Sequence, residues 1–314
     1  MINRSPALIL AMILVAGCSR SAEPPGQETA KVPATLDDGL EAVSPAAAGL
    51  QGAPLDALTQ DVIDASFPNT TSVLLLKDGK LVFERYFGEG GPAVLNDTRS
   101  AMKSVTALAV LAAHADGELP SLDEPAFARL ADLAPFAHDD PLKQQITLKD
   151  FLTMSSSLDC NDWEEASPGN EESMYPLANW SRWAVDIPVK IDYQRDASGR
   201  GPFSYCTAGV FLLGQVLQRA TGEPVDDYIG RRLLDPLGIA EREWPRSPTG
   251  EVMTGGGLRL KSRDLAKLGL LVASGGRWQD ESLIPAESMS EALTVRRTID
   301  AEQGYGYLFW QRQY

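Results

Sequence analysis

A serine and a lysine stand three positions apart in the segment TRSAMKSV, as Ser100 and Lys103. On an α-helix, residues three apart share one face, so the lysine amine can reach the serine hydroxyl. Near the first turn of a helix, the positive end of the helix dipole and burial both disfavour an ammonium ion, which lowers the lysine pKa. A lysine of lowered pKa can act as the base for a serine nucleophile. The pair therefore predicts acyl transfer through Ser100.

The spacing alone has low specificity, because a serine three positions before a lysine is expected about once by chance in a chain of this size. Two observations raise its weight. No other lysine of the chain has a serine at that offset, and no Gly-x-Ser-x-Gly elbow is present. The two histidines are His114 and His138. His114 would lie about 21 Å from Ser100 along the same helix, so we expect neither a histidine base nor a zinc site.

The elements around the pair indicate a mixed α/β protein. Two β-rich runs flank Asp78-Gly79, which predicts a hairpin over residues 71–88. Gly117, together with Pro120, should terminate the helix that carries Lys103. Further helices are predicted within 146–159, 208–222 (ended by Gly222) and 262–276 (capped by Ser262 or Asp264), with a β-rich run over 304–314. This order predicts an antiparallel sheet built from both chain ends and flanked by helices, with a mostly helical insertion.

The composition excludes some partners. The chain has 314 residues, of which 44% are hydrophobic, and a formal net charge of −15. It is therefore long enough for a sizeable core. A strongly acidic chain lacks the basic face that nucleic acid or an anionic lipid surface requires, so we expect no nucleic-acid partner. The oligomeric state is not predicted.

The N-terminus resembles an export signal. Arg4 precedes a short apolar run over residues 7–16, which is shorter than the roughly 20 residues needed to span a bilayer. The run continues into VAGC, which resembles the lipobox of bacterial lipoproteins and makes Cys18 the expected lipidation site. The alternative is an ordinary signal with an unrelated cysteine. The expected organisation is a signal peptide at 1–17, a flexible tether at 18–45 and a folded domain at 46–314, lipid-anchored at the periplasmic face of the outer membrane.

Two more cysteines, Cys160 and Cys206, would then lie in an oxidising compartment. They form either a disulfide or two separate buried thiols. An acidic segment over residues 161–176 carries Trp163. It is interpreted either as a roof over a cleft, favouring cationic or amide-bearing ligands, or as a solvated loop.

Three segments, in this order, resemble the penicillin-binding-protein and class C β-lactamase-like serine hydrolases: ITLKDFLTMSSSLD, the stretch from FSYCTAGVFLLG to DPLGI, and TGGGLRLKSRDLAKLGLLVASGG. The resemblance covers about residues 50–314. It implies a DD-peptidase/β-lactamase-like fold and no metal or organic cofactor. It also implies that Ser100 is acylated, that Lys103 is its base partner and that Tyr205 relays protons between the nucleophile and the leaving group. The backbone N–H of Ser100 would be one oxyanion donor.

Two departures from that family pattern are visible. Thr207 replaces the asparagine of the Tyr-x-Asn element and offers one hydroxyl in place of an amide for substrate binding. The third element, a Lys/His-Thr/Ser-Gly strand, should follow the run at 304–314, and the glycine-rich residues 254–257 stand in the wrong place for it. We therefore expect a C-terminally truncated domain missing its last strands. The substrate would be a small-molecule or peptidoglycan-like ester, amide or β-lactam carbonyl. The alternative is a catalytically dead binding or scaffolding lipoprotein on the same fold.

Overall fold

The structure is a computed structural model that describes residues 32–191, 193–197 and 199–312. The helices are α1 (Gly52–Ile63), α2 (Met102–Ala115), α3 (Ala126–Arg129), α4 (Leu148–Leu152), α5 (Trp180–Asp186), α6 (Thr207–Thr221), α7 (Val225–Ile229), α8 (Ser262–Ala273) and α9 (Ala286–Leu293). The strands are β1 (Ser72–Lys77), β2 (Lys80–Tyr86), β3 (Leu95–Asp97), β4 (Arg259–Lys261), β5 (Arg277–Trp278), β6 (Glu281–Ser282), β7 (Arg297–Thr298), β8 (Gln303–Tyr305) and β9 (Trp310–Arg312). The predicted signal peptide and Cys18 lie outside the described residues, as does Tyr314.

The strands confirm the mixed α/β class and the hairpin. β1 and β2 pair antiparallel around Asp78 and Gly79, which both have positive φ, as this tight turn requires. The described strands form separate small antiparallel sheets: β1–β2, β3–β4, β5–β6 and β7–β8–β9. Among the described residues, the first and the last strands therefore lie in separate sheets, and the single sheet expected to join both chain ends is not observed.

The core lies around two helices that begin near the candidate catalytic residues. α2 is buried along most of its length, and α6 packs beside it. A helix that is apolar on all sides is stable only when protein surrounds it. α6 ends, as predicted, at Gly222 in the left-handed conformation (φ 72°). Two rigid, buried helices thus fix the chain segments that carry Lys103 and Tyr205.

Helix α8 begins differently from the prediction. Its N-cap is Lys261, the last residue of β4, and no side chain caps it. The hydroxyl of Ser262 instead lies 2.8 Å from the Ser72 hydroxyl and accepts a hydrogen bond from Asn96 at 3.2 Å. Asp264 forms an ion pair with Lys267 at 3.0 Å. Ser262 is therefore used for tertiary contacts that the local sequence does not encode, and Asp264 for an ion pair within α8.

The run at 304–314 is not one strand. It contributes to β8 and β9, which are separated by a turn in which the Gly306 N–H donates to the Phe309 carbonyl at 2.9 Å. A Cβ on Gly306 would lie 2.2 Å from the carbonyl oxygen of Ala292, so glycine is required there. The Leu308 N–H donates to Leu152 in α4 at 2.9 Å. The chain therefore reverses at this point in order to pack on the helical insertion.

The tether predicted to reach residue 45 ends earlier. Leu40 is buried, and Glu41 and Val43 form backbone hydrogen bonds with Leu81 of β2. Asp38 forms an ion pair with the buried Arg263 of α8 at 2.9 Å. Residues 38–43 therefore belong to the folded domain. Among the described residues, no helix combines the length and apolarity needed to cross a bilayer.

Candidate active site

A strained turn presents Ser100. The turn follows β3 and holds Arg99 at φ 47°, a conformation that non-glycine residues rarely adopt. The Arg99 N–H donates to the Asp97 carboxylate at 2.7 Å, and Thr98 bonds through both its N–H and its hydroxyl to the Leu258 carbonyl. Ser100 lies in a 3₁₀ turn over Arg99–Ala101, just before α2, and is exposed. The turn thus fixes an accessible hydroxyl at the start of a buried helix.

Lys103 lies below that hydroxyl, in the first turn of α2. Its Nζ donates to Ser100 Oγ at 3.2 Å and to the Gly255 carbonyl at 2.7 Å. The residue is only 1% exposed, and this burial lowers its pKa to about 8, although the charges of Glu171 and Asp162 act in the opposite direction. At pH 7 about one amine in ten is then neutral, against about one in three thousand for an ordinary lysine. The geometry and the charge both suit a base.

Tyr205 completes the group. Its ring centroid lies 4.9 Å from Lys103 Nζ. Burial raises the pKa of the phenol, and a hydrogen bond with the Ser100 hydroxyl acts in the opposite direction. The phenol is therefore protonated at neutral pH, where it can donate a proton. The structure brings Ser100, Lys103 and Tyr205 together, whereas His114 lies near the far end of α2 and bonds through Nδ1 to the Leu119 carbonyl.

Thr207 lies in the first turn of α6 and is fully buried. Its N–H donates to the Asp162 carboxylate at 2.7 Å, while its own hydroxyl has no hydrogen-bond partner among the described residues. Burial raises the pKa of Asp162. Thr207 contacts the nearby backbone closely, since a Cβ on Gly255 would lie 2.6 Å from its methyl group. Its predicted role in substrate binding stays a prediction.

The glycine-rich residues 254–257 lie against Ser100 and Lys103. The sequence did not predict this placement. The Thr254 carbonyl accepts a hydrogen bond from the Thr106 hydroxyl of α2 at 2.6 Å. The Thr254 hydroxyl donates to the Val210 carbonyl of α6 at 3.0 Å. These bonds hold the segment between the two helices, where the Gly255 carbonyl meets Lys103. One sequence signal was available, because the glycines directly precede β4, which pairs with the strand leading to Ser100.

A cavity of about 390 Å³ opens beside Ser100. Its wall includes Glu171, Glu172 and Tyr175 on one side and Gly256 and Gly257 on another. Residues of the acidic segment thus border the same cavity as Ser100, and its interpretation as a roof over a cleft stays a prediction. A larger cavity of about 550 Å³ lies between β1 and α8 and does not include Ser100 in its wall.

The two remaining cysteines are joined. Cys160 and Cys206 form a disulfide with a Cα–Cα distance of 5.4 Å. The bond links the start of the acidic segment to the residue between Tyr205 and Thr207. No group of three or more metal-ligating side chains occurs within the described ranges.

Comparison with known families identifies the fold. A family model for β-lactamases matches residues 69–314. The chain belongs to the β-lactamase family. Among similar proteins, 6-aminohexanoate-dimer hydrolase of Paenarthrobacter ureafaciens is 25% identical over 218 residues, covering 66% of this chain and 53% of the relative. Esterase EstB of Burkholderia gladioli is 29% identical over 221 residues, covering 63% of this chain and 54% of the relative. This β-lactamase-family chain thus spans about half the length of these two hydrolases.

Solved structures with low identity share the β-lactamase-family fold. A D-stereospecific amidohydrolase from Streptomyces sp. matches with a TM-score of 0.62 and 20% identity, over 82% of this chain and 83% of that structure. A penicillin-binding protein from Bacillus halodurans matches with a TM-score of 0.60 and 19% identity, over 77% and 80%. At such identities the similarity establishes the fold.

Proposed function

We propose that this chain is a serine hydrolase that forms an acyl-enzyme on Ser100. The observation that carries the proposal is the 3.2 Å contact between an exposed serine hydroxyl and a buried lysine amine whose pKa is lowered to about 8. Membership of the β-lactamase family supports it, as does the similarity to a 6-aminohexanoate-dimer hydrolase and an esterase.

In the proposed reaction, neutral Lys103 accepts the Ser100 hydroxyl proton as Oγ bonds to the substrate carbonyl carbon. The Ser100 backbone N–H donates to the resulting oxyanion. Tyr205, whose ring centroid lies 4.9 Å from the Lys103 amine, passes the proton to the leaving alcohol or amine as its bond to carbon breaks. Water then adds to the acyl-enzyme by the same route in reverse. The acid product departs and Ser100 regains its proton.

We infer that the substrate is a small ester or amide, with the β-lactam as a strained amide. The proteins similar to this chain include an esterase and a D-stereospecific amidohydrolase, which act on these two classes of carbonyl compound. The cavity of about 390 Å³ beside Ser100 suits a small molecule.

Hydrolysis of p-nitrophenyl acetate tests the proposal. Ser100→Ala should lower kcat by about 10³-fold or more, since removal of a nucleophile leaves only the catalysis of the remaining site. Ser104→Ala is the matched control, because Ser104 directly follows Lys103 in α2 and its hydroxyl donates to the Leu308 carbonyl instead. It should retain wild-type activity. Equal activity of wild type and Ser100→Ala would exclude the mechanism.

We also propose that the chain is exported and lipidated at Cys18, on the resemblance of VAGC to a lipobox. Expression of the chain in a bacterial host with radiolabelled palmitate should label wild type and leave Cys18→Ser unlabelled. Equal labelling of both, or of neither, would refute this proposal without affecting the proposed chemistry.

A further inference from the structure

Besides the Lys103 amine, the ring of Tyr205 contacts two exposed indoles, and the indole of Trp310 lies with its centroid 6.0 Å away at 28° between the planes. The indole of Trp163 stacks on the Tyr205 ring with centroids 5.5 Å apart and an angle of 3° between the planes. Trp163 is itself 62% exposed. An indole that remains so exposed gains little from burial in a core. The covered part of Trp163 packs on the phenol that contacts Lys103 and, at centroid distances of 5.9 and 6.3 Å, on Phe203 and Trp310.

The loop that carries Trp163 is held at several points. The Asp162 carboxylate accepts from the Thr207 N–H at 2.7 Å and from the Glu171 N–H at 3.0 Å. The Asp162 N–H donates to the Tyr205 carbonyl at 2.8 Å. The side-chain amide of Asn170 donates to three loop carbonyls at 3.2–3.4 Å. These bonds fix the indole relative to the backbone of Tyr205 itself.

The disulfide adds a covalent connection at the same place. Cys206 directly follows Tyr205, and its partner Cys160 stands three residues before Trp163. The loop and the tyrosine segment are therefore joined by a bond on one side and by backbone hydrogen bonds on the other. A solvated loop does not require so many connections. They are suited to hold the rings of Trp163 and Tyr205 in one relative geometry.

We propose that Trp163 is a positioning residue for the reaction proposed at Ser100. Its indole holds the Tyr205 ring against the Lys103 amine and keeps water from that side of the pair. The proposal rests on the proposed function. Its physical basis is that offset stacked rings attract one another and restrict the side-chain rotamers of both. Without the Trp163 indole, the Tyr205 ring keeps its contact with Trp310 but loses its more nearly parallel stacking partner, so the ring gains freedom and water approaches the amine.

The loss of the indole should also change the pH dependence. The groups that face the Lys103 amine are the Ser100 hydroxyl, the Gly255 carbonyl and the Tyr205 ring, and the negative charges that act on it are Asp162 and Glu171. Truncation of Trp163 leaves all of these in place and adds water. Since water stabilises the ammonium form, the pKa of Lys103 rises toward its ordinary value.

The test compares Trp163→Ala, Trp163→Phe and a control, with p-nitrophenyl acetate as the substrate across a range of pH. The control is Phe67→Ala, since Phe67 is 51% exposed and borders a different cavity. Trp163→Ala should lower kcat by about three- to tenfold, which is the effect of a lost stacking pair, and leave KM nearly unchanged. The acidic limb of its kcat/KM profile should move to higher pH. Trp163→Phe should restore both quantities, and Phe67→Ala should match wild type.

Three results would overturn the proposal. A change in KM alone would make Trp163 a substrate contact. An unmoved acidic limb in Trp163→Ala, with lowered activity that Trp163→Phe does not restore, would indicate a general structural effect. Wild-type kinetics in Trp163→Ala would remove any role. A folded wild type without esterase activity would instead refute the proposed function itself, before any comparison of the Trp163 variants.

Discussion

Replacement of Lys103 by methionine should stabilise the protein at neutral pH while it abolishes the activity. The pKa of Lys103 is lowered from 10.5 to about 8 because the fold buries the amine. Methionine has a similar length and no charge. At 1.36 kcal/mol per pH unit, the difference between the two pKa values corresponds to about 3 kcal/mol of unfolding free energy.

The sign follows from proton uptake. Below about pH 8, the folded wild type carries a buried ammonium at full cost. Between about pH 8 and 10.5, the unfolded chain binds a proton that the folded chain does not, so wild-type stability rises with pH through this window. Lys103→Met lacks that dependence. The free energy of unfolding of Lys103→Met minus that of wild type should therefore be about 3 kcal/mol larger at pH 7 than at pH 10.5. The net gain at pH 7 is smaller by about 1–3 kcal/mol, because the Gly255 carbonyl loses its donor.

Urea unfolding followed by tryptophan fluorescence, at several pH values between about 6 and 10.5, measures this difference. Lys143→Met is the matched control. Lys143 is also buried, its pKa is likewise lowered to about 8 by burial, and its Nζ bonds to the Val185 carbonyl at 2.8 Å. It contacts Phe127 and Phe136 in the helical insertion. Both variants should show the same pH trend in stability, and only Lys103→Met should lose esterase activity.

A stability difference between wild type and Lys103→Met that stays constant from about pH 7 to 10.5 would refute the reasoning. Lys103 would then have the same pKa in the folded and unfolded chain. It would be charged at neutral pH and unable to accept the serine proton.

Three further results are expected. The value of kcat/KM for p-nitrophenyl acetate should fall about tenfold per pH unit below about pH 8, and a flat profile down to about pH 6 would contradict a lysine base. Replacement of Cys160 and Cys206 by serine should lower the free energy of unfolding by about 4 kcal/mol, because the disulfide closes a loop across a sequence separation of 46 residues. A loss below about 1 kcal/mol, measured by urea unfolding, would contradict this expectation. Arg263→Met should lower the free energy of unfolding by about 3–5 kcal/mol, since it leaves two paired carboxylates without their cation. Arg231→Met, at an exposed ion pair, should lower it by less than about 1 kcal/mol. Equal losses of stability in the two variants would contradict this distinction.

The local part of the site could be predicted from the sequence. The contact between Ser100 and Lys103 follows from helical spacing, although the serine lies in a 3₁₀ turn just ahead of α2. Tyr205 was placed only by resemblance to a family, because no local pattern joins residues a hundred positions apart. The contact of Lys103 with Gly255 spans 152 positions, and it depends on how α2 and α6 hold the glycine segment.

The larger topology was less accessible for the same reason. The hairpin over β1 and β2 is encoded by its own turn residues, so its prediction is confirmed. The joining of both chain ends in one sheet depends on long-range pairing, and residues 32–312 do not form it. The start of α8 at Ser262 is as predicted, but its N-cap was wrongly predicted because Ser262 bonds across the fold instead of capping its own helix.

The most direct measurement of the central claim is the site of covalent modification. A fluorophosphonate added to the folded chain should form one adduct, and mass spectrometry of the digested protein should place it on the peptide that contains Ser100. Lys103→Met should react far more slowly, because its serine lacks a base. A folded wild type that forms no adduct, or forms one on a different serine, would contradict the assignment of Ser100 as the nucleophile.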